Sequence, residues 1–512
     1  MTAALALDGL DEHGVSRIAE LVALKVAPGD AIALSGDLGA GKTTFARALI
    51  RALLGTPEAE VPSPTFPIVQ PYAVDRLPVA HFDFYRLAGA QDLVEVGYDE
   101  AIATGLAIIE WPERAAEVLP ENRLEVRLDL GDSLDHRRVT LVAHGTFVSR
   151  LERIGRILGF LASPPTGEVE RIAYLQGDAS ARAYARITID ARSWVLMDAP
   201  RMPDGPPVRD GLPYSRIAHL AEDVRPFVAV GRALEAHGMS VPHIQKADLE
   251  CGLLLVEDLG ETTFARALAA GVPQATLWGA AVDVLIDLRR HPLPEPLPLG
   301  DGSSYRLPRF DRAALEIELA LILDWYWPEA TGGPAPAGVR DELMSLWSPV
   351  LDRLLAEPPG LFLRDYHSPN LFWLPDRPSG RRVGVIDFQD AMAGPWALDL
   401  VSLLQDARID VPTALEAAER KRYIDAVSGL EPDFDRDRFL ATYAAFGAQR
   451  NTRLIGLWIR LLRRDGKPGY LQHMARTWDY LGRNLEHPEL ADLRSWYARH
   501  FPEPLRSRPI VA

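Results

Sequence analysis

The sequence predicts two domains of different class: an α/β domain over residues 1–147 and an α+β, two-lobed domain over residues 148–512. Three observations carry this. Up to about residue 145, short apolar runs alternate with helix-period segments. From 149 to about 262 the chain is strand-rich, and beyond that it is mostly helical, with long periodic segments at Asp311 to Trp327 and Val339 to Leu355. At the junction, an amphipathic stretch from Phe147 to Leu161 is broken by Ser163-Pro164-Pro165-Thr166-Gly167. No internal repeat relates the two parts, so the chain reads as a fusion. The first lobe of the second domain is set at 148–260 and the second at 261–512.

Composition narrows the class. Among the 512 residues 47% are apolar and 25% charged, an ordinary globular balance that excludes a disordered or collagen-like chain. A single cysteine, Cys251, excludes a disulfide framework and a four-cysteine zinc site. No run of 18 apolar residues is present, and Met1 to Asp11 lacks a basic leader segment, so a cytoplasmic protein is expected. The net charge of −16 argues against a surface that coats nucleic acid. The lysines are only Lys25, Lys42, Lys246, Lys421 and Lys467, which matters because nucleotide chemistry often uses one.

In the first domain, Ala31 to Leu34 is a strand-length run. The following helix places Phe45, Ala48, Leu49, Ala52 and Leu53 on one face and ends before Gly55. Val79 to Phe84 and Leu106 to Trp111 are further strands. Leu124, Val126, Leu128 and Leu130 alternate with polar residues, and Val139 to Ala143 is a partner strand. A mainly parallel sheet is expected. Between the first strand and helix lies Gly36-Asp37-Leu38-Gly39-Ala40-Gly41-Lys42-Thr43, followed by Thr44. This is the G-x-x-x-x-G-K-[ST] pattern of a P-loop NTPase. Its glycines let backbone N–H groups curl around phosphates, its lysine reaches the outer phosphates, and its Thr43 hydroxyl sits on Mg²⁺. ATP and Mg²⁺ are the expected ligands. Asp83 and Glu110 end strands and are the candidates to hold the metal or orient a water.

Gly36 to Thr43, Ser63-Pro64-Thr65-Phe66, His81 to Arg86, Gly97-Tyr98 and Glu110-Trp111-Pro112-Glu113-Arg114 together resemble the TsaE family over residues 8–146. The resemblance implies an ATPase that supports threonylcarbamoylation of adenosine 37 in tRNA and docks on the TsaB and TsaD subunits. It implies phosphate binding by Lys42, Mg²⁺ at Thr43 and Glu110, assistance to hydrolysis by Asp83, and nucleotide sensing by Thr65. Residues 1–150 hold 13 basic and 22 acidic side chains, net −9, so tRNA should be reached through partners.

In the second domain, Asp365 and Asn370 stand five apart, and Val385-Ile386-Asp387-Phe388 ends an apolar strand with an acid seventeen residues after Asn370. Phosphoryl transfer from ATP wants this set: a carboxylate to accept the substrate hydroxyl proton, and an amide and second carboxylate for the metal. Cys251 to Val256 followed by Glu257-Asp258-Leu259-Gly260 reads as an interlobe link, with Glu257 and Leu259 at the adenine edge. Gln176-Gly177-Asp178-Ala179-Ser180 is a candidate phosphate-covering turn through Gly177 and Ser180.

Gly177 to Ser180, Val195 to Pro200, Leu255 to Gly260, Asp365 to Asn370, Ile386 to Ala391, Gln449 to Arg453 and Arg464 to Pro468 resemble the protein-kinase-like aminoglycoside phosphotransferase superfamily, most of all its AmgK branch, over residues 149–512. That branch phosphorylates the anomeric hydroxyl of N-acetylmuramate and N-acetylglucosamine in peptidoglycan recycling. Carried over, Asp365 is the base, Asn370 and Asp387 are metal ligands, and Asp399 braces the catalytic loop. Two positions depart from the superfamily: Leu363 stands where a histidine is usual, and Val195-Leu196-Met197 holds no phosphate-pairing lysine. Arg201 is the cation nearest that gap in sequence. An amino-sugar substrate is expected, with a kinase of aminoglycoside, choline or homoserine, or a nucleotide-binding scaffold without transfer, as alternatives. Trp325, Tyr326 and Trp327 read as core packing rather than a cation cage. A muramate carboxylate favours a pocket arginine, with Arg450 and Arg453 as candidates.

Overall fold

The computed structural model describes residues 2–510 except 75, 88–90, 134, 164–166 and 176–181. The chain packs as two compact units, residues 1–200 with 245–258 and residues 201–244 with 259–512. The first unit thus takes in strands that lie beyond residue 147.

Its larger sheet has seven strands: β1 (Thr2–Leu10), β2 (Ala31–Ser35), β3 (Val69–Tyr72), β4 (Val79–Asp83), β5 (Leu106–Glu110), β6 (Arg123–Leu130) and β7 (Arg137–His144), in the order β1-β7-β6-β2-β5-β4-β3. The centre, β6-β2-β5-β4, is parallel, and β1, β7 and β3 join antiparallel. The sheet is therefore mixed rather than mainly parallel. The turns after β3 and β6 are too short for the crossover that a parallel pair requires. Helix α1 (Glu12–Ala23) starts where the Asp11 carboxylate accepts from the Gly14 N–H at 2.7 Å. Helix α2 (Lys42–Leu54) follows the glycine loop and stops at the left-handed Gly55.

A second sheet belongs to the same unit. Its strands are β8 (Val169–Leu175), β9 (Ala183–Ile189), β10 (Arg192–Asp198), β11 (Ile244–Asp248) and β12 (Leu253–Glu257), in the order β11-β12-β10-β9-β8. Helix α3 (Phe147–Ala162) joins the two sheets and buries Phe147, Leu151, Ile154, Ile157, Phe160 and Leu161. Ile187, Leu196, Leu253 and Leu255 of the second sheet lie in one continuous apolar cluster with α3, with Val15 and Ile18 of α1, and with Phe45 and Leu49 of α2. Polar ties cross the same seam. The Ile172 N–H donates to Glu20 at 2.7 Å, and the Arg76 guanidinium lies 4.9 Å from the Tyr174 ring.

The second unit is mostly helical around α4 (Arg436–Asp465), which starts at the Asp435 cap and ends at the left-handed Gly466. The segment read as one helix from Asp311 to Trp327 is α-helical from Arg312 to Leu321, widens into a π-type turn from Ile322 to Tyr326, and resumes at Trp327. The widening faces Gly456 of α4, where a Cβ would lie 2.3 Å from the Leu321 carbonyl carbon, so only glycine fits. Tyr326 packs edge-on against Trp478 and Phe501, and Trp327 against Phe501, which makes these aromatics core. Among the described residues no helix is long and apolar enough to cross a membrane.

Candidate active sites

The first site sits at the carboxyl ends of β2, β4 and β5. Gly36, Gly39 and Gly41 all have positive φ, and a Cβ on Gly36 would meet the Leu128 carbonyl oxygen at 2.2 Å. Asp37, Leu38 and Gly39 form the exposed crown of the loop, and Ala40 is its buried foot. Lys42 folds back, donating to the carbonyls of Gly36 at 2.7 Å and Asp37 at 2.9 Å, with its ammonium 3.7 Å from the Trp111 ring centroid. Burial lowers its pKa. Thr43 and Thr44 open α2. The Thr43 hydroxyl donates to Glu110 at 2.9 Å, and His81, fully buried, meets the other Glu110 oxygen at 3.0 Å. The parallel register of β4 and β5 sets Asp83 opposite Glu110. Asp83 accepts from the Thr65 hydroxyl at 2.9 Å and from the Tyr85 N–H at 3.0 Å. The structure thus gathers Lys42, Thr43, Thr65, Asp83 and Glu110. His81, which the sequence reading gave no role, fixes Glu110 from below.

The second site lies in the second unit. Asp399 accepts from the N–H groups of Leu363 at 2.6 Å and Arg364 at 2.9 Å. Leu363, at the position where histidine was expected, serves this brace through its backbone. Arg364 sits at φ +73°, a strained conformation for a side-chain-bearing residue. Its guanidinium is pinned by Glu318 at 2.7 Å and the Ala218 carbonyl at 2.7 Å. The loop then turns tightly. The Asn370 amide donates to the Asp365 carbonyl at 3.0 Å and to Asp387 at 3.4 Å, while Gln389 donates to the other Asp387 oxygen at 2.7 Å. Asp387 has φ +60°. Asp365, Asn370 and Asp387 are brought together from three separate sequence positions.

A family model described as threonylcarbamoyl adenosine biosynthesis protein TsaE matches residues 10–139, and one described as the phosphotransferase enzyme family matches residues 171–440. The N-acetylmuramate/N-acetylglucosamine kinase of Caulobacter vibrioides is 38% identical over 360 residues, covering 69% of this chain and 97% of that protein. That of Pseudomonas aeruginosa is 34% identical over 325 residues, covering 62% and 84%. The tRNA threonylcarbamoyladenosine biosynthesis protein TsaE of Rickettsia felis is 36% identical over 122 residues, covering 24% of this chain and 71% of that protein. The chain belongs to both families. It is an enzyme in which a TsaE domain precedes a phosphotransferase domain.

The electrostatics of the phosphotransferase loop suit an ionised base. Burial pushes the Asp365 carboxyl up, but the cations Arg453, Arg364 and Arg450 outweigh it and hold it below the usual carboxylate range. Burial takes His367 down to about 4. Asp399 is pushed up to about 7, again by burial. Arg450 is almost fully enclosed and donates to the Gln405 carbonyl at 3.2 Å, so it belongs to the loop's scaffold. Arg453 is less enclosed and lies 3.7 Å from Glu318.

The remaining expectations fall elsewhere. Glu257 closes β12, and Leu259 begins the second unit. Gly177 and Ser180 lie outside the described residues. On β10, Val195 and Met197 alternate with Leu196, which packs into the core under α3. Lys25 binds Asp198, which shares the Leu196 side of the strand, so it does not fill the gap left by the absent lysine. Arg201 is exposed and pairs with Glu222 at 3.5 Å.

Proposed function

We propose that the chain carries two ATP-dependent activities in the cytoplasm. The phosphotransferase domain moves the terminal phosphate of ATP to the anomeric hydroxyl of N-acetylmuramate or N-acetylglucosamine, for peptidoglycan recycling. The TsaE domain hydrolyses ATP in support of tRNA adenosine-37 threonylcarbamoylation, docked on TsaB and TsaD. What carries the first half is the constellation of Asp365, Asn370 and Asp387, together with the name of a relative matched over 97% of its length.

Asp365 accepts the sugar hydroxyl proton as the new oxygen–phosphorus bond forms and the bond to the ADP oxygen breaks. Asn370 and Asp387 are the residues to hold Mg²⁺. The fit is chemical: the Asn370 amide nitrogen is spent on the loop, and among the described residues no hydrogen bond ends on its oxygen, so it joins the Asp387 carboxylate as a hard oxygen donor. The ion, when bound, supplies positive charge to the phosphate oxygens. In the TsaE domain Thr43 and Glu110 are the corresponding pair, and Asp83, hydrogen-bonded by Thr65, assists hydrolysis. Lys42 exchanges the carbonyls of Gly36 and Asp37 for phosphate oxygens when nucleotide binds.

The test is ADP release from full-length protein with each sugar, followed by phosphorus NMR. An acid-labile phosphate coupled to the anomeric proton is the expected product. Phosphate on the 6-hydroxyl would overturn the assignment. The absent lysine on β10 favours one second reading, a nucleotide-binding scaffold, which requires ATP binding with no sugar phosphate formed.

A further inference from the structure

Helix α4 is closed over along most of its length. Between Thr442 and Leu462 the residues that are not fully buried are Arg453, Leu457 and Arg460, at i, i+4 and i+7, which makes one strip about 10 Å long. The two arginines on this strip differ in their acidic partners: Arg453 shares one, and Arg460 has none among the described residues. Glu318 is one carboxylate shared by Arg364 at 2.7 Å and Arg453 at 3.7 Å. Arg460 has no ion pair among the described residues. Its guanidinium instead lies 4.8 Å from the centroid of the Tyr214 ring. Both Arg453 and Arg460 leave a buried Nε without a hydrogen-bond partner. The enclosed Nε holds each side chain in place at a desolvation cost, and the partly exposed remainder of the guanidinium is what faces outward. The strip starts beside the base: Arg453 acts on Asp365, and Arg364, the neighbour of Asp365 in the chain, shares Glu318 with it.

We propose that Arg453 and Arg460 bind the carboxylate of an acidic amino sugar, with Leu457 between them against the sugar's C–H surface, so that this strip selects N-acetylmuramate over N-acetylglucosamine. This rests on the amino-sugar kinase reading above. The two sugars differ by a lactyl ether two ring carbons from the anomeric centre. An anomeric hydroxyl at Asp365 therefore leaves the carboxylate within the reach of a guanidinium strip that begins there. Guanidinium–carboxylate pairing is the strongest recognition available for that group.

The experiment measures kcat/KM for both sugars with full-length wild type and Arg460→Gln. The expected result is a loss of about 10- to 100-fold for N-acetylmuramate, the scale of a hydrogen bond to a charged group, and little change for N-acetylglucosamine. An equal loss for both sugars would assign the strip to nucleotide phosphate and overturn the proposal, as would no loss for either. The methyl ester of N-acetylmuramate, given to wild type, repeats the test without a mutation. It should be used as poorly as the acid is by Arg460→Gln, and equal use of ester and acid would overturn the proposal. If wild type phosphorylates neither sugar, the amino-sugar reading itself falls and takes this one with it. Activity on both sugars without discrimination removes the carboxylate site alone.

Discussion

Asp198 of the phosphotransferase sheet accepts hydrogen bonds from Lys25 of the TsaE domain and, at 2.8 Å, from Arg153 of the joining helix. Arg153 also donates to the Cys251 carbonyl at 2.6 Å. One carboxylate, almost fully buried, therefore neutralises two cations from two other segments, at the seam where the two sheets share a core.

The asymmetry of that triad gives the first expected outcome. Asp198→Ala leaves Lys25 and Arg153 facing each other in a buried seam, and breaking a buried pair this way costs about 3–5 kcal/mol. Lys25→Ala leaves Arg153 on Asp198 and should cost much less. Chemical unfolding of the full chain checks this order. Equal losses in the two variants would show that the triad is not the unit that holds the seam.

The P-loop gives the second. Lys42→Ala should abolish ATP hydrolysis by the TsaE domain, because among the described residues Lys42 is the one lysine at the phosphate cradle. Sugar phosphorylation should survive, since the shared core at α3 and β10 is untouched. Parallel assays of phosphate release and sugar phosphate on one preparation decide it. If both activities collapse, the two-site reading is wrong or the sites are coupled.

What the sequence made legible follows from how locally each signal is encoded. The P-loop is read from eight consecutive residues, and the central strands from apolar runs that are buried on both faces, as β2 and β5 are. Strand β1 was not legible: its positions alternate between exposed and half-buried, and no position is fully buried, so it lacks the apolar contrast that marks a strand. The helix broken at Ile322 was not legible either, because its cause is the close approach of Gly456, more than a hundred residues away. The packing boundary was hidden for the same reason. The side of β10 that carries Leu196 is apolar in any half-buried sheet, and only the fold shows that α3 and the TsaE core cover it. In the second site, Asp365, Asn370 and Asp387 were found by spacing, whereas Glu318 and Arg460 lacked any local pattern.

The phosphotransferase chemistry gives the third. Asp365→Asn should retain ATP binding and lose at least about 100-fold in turnover, the scale of a general base. Asp387→Asn should weaken nucleotide binding in the presence of Mg²⁺ as well, and less so in its absence. Nucleotide titrations at two metal concentrations separate the two roles. Turnover surviving in Asp365→Asn would remove Asp365 as the base.

The fourth concerns acid. His367 is packed among Arg408, Asp365, Asp406 and Arg450, and burial holds its pKa at about 4, below the 6.5 of an exposed histidine. Its Nε2 lies 3.3 Å from a guanidinium nitrogen of Arg408, which can only donate, so the ring nitrogen accepts and carries no proton. Between about 4 and 6.5 the unfolded chain therefore binds a proton at this position that the folded chain does not. Stability from this group is complete above pH 6.5 and is lost as pH falls toward 4. His367→Gln keeps an acceptor for Arg408 and removes the titration. The melting temperature of the wild type should fall more steeply from pH 7 to pH 5 than that of the variant. Parallel curves would mean that His367 is charged in the folded protein, and the neutral acceptor role assigned to it beside Arg408 would have to be withdrawn.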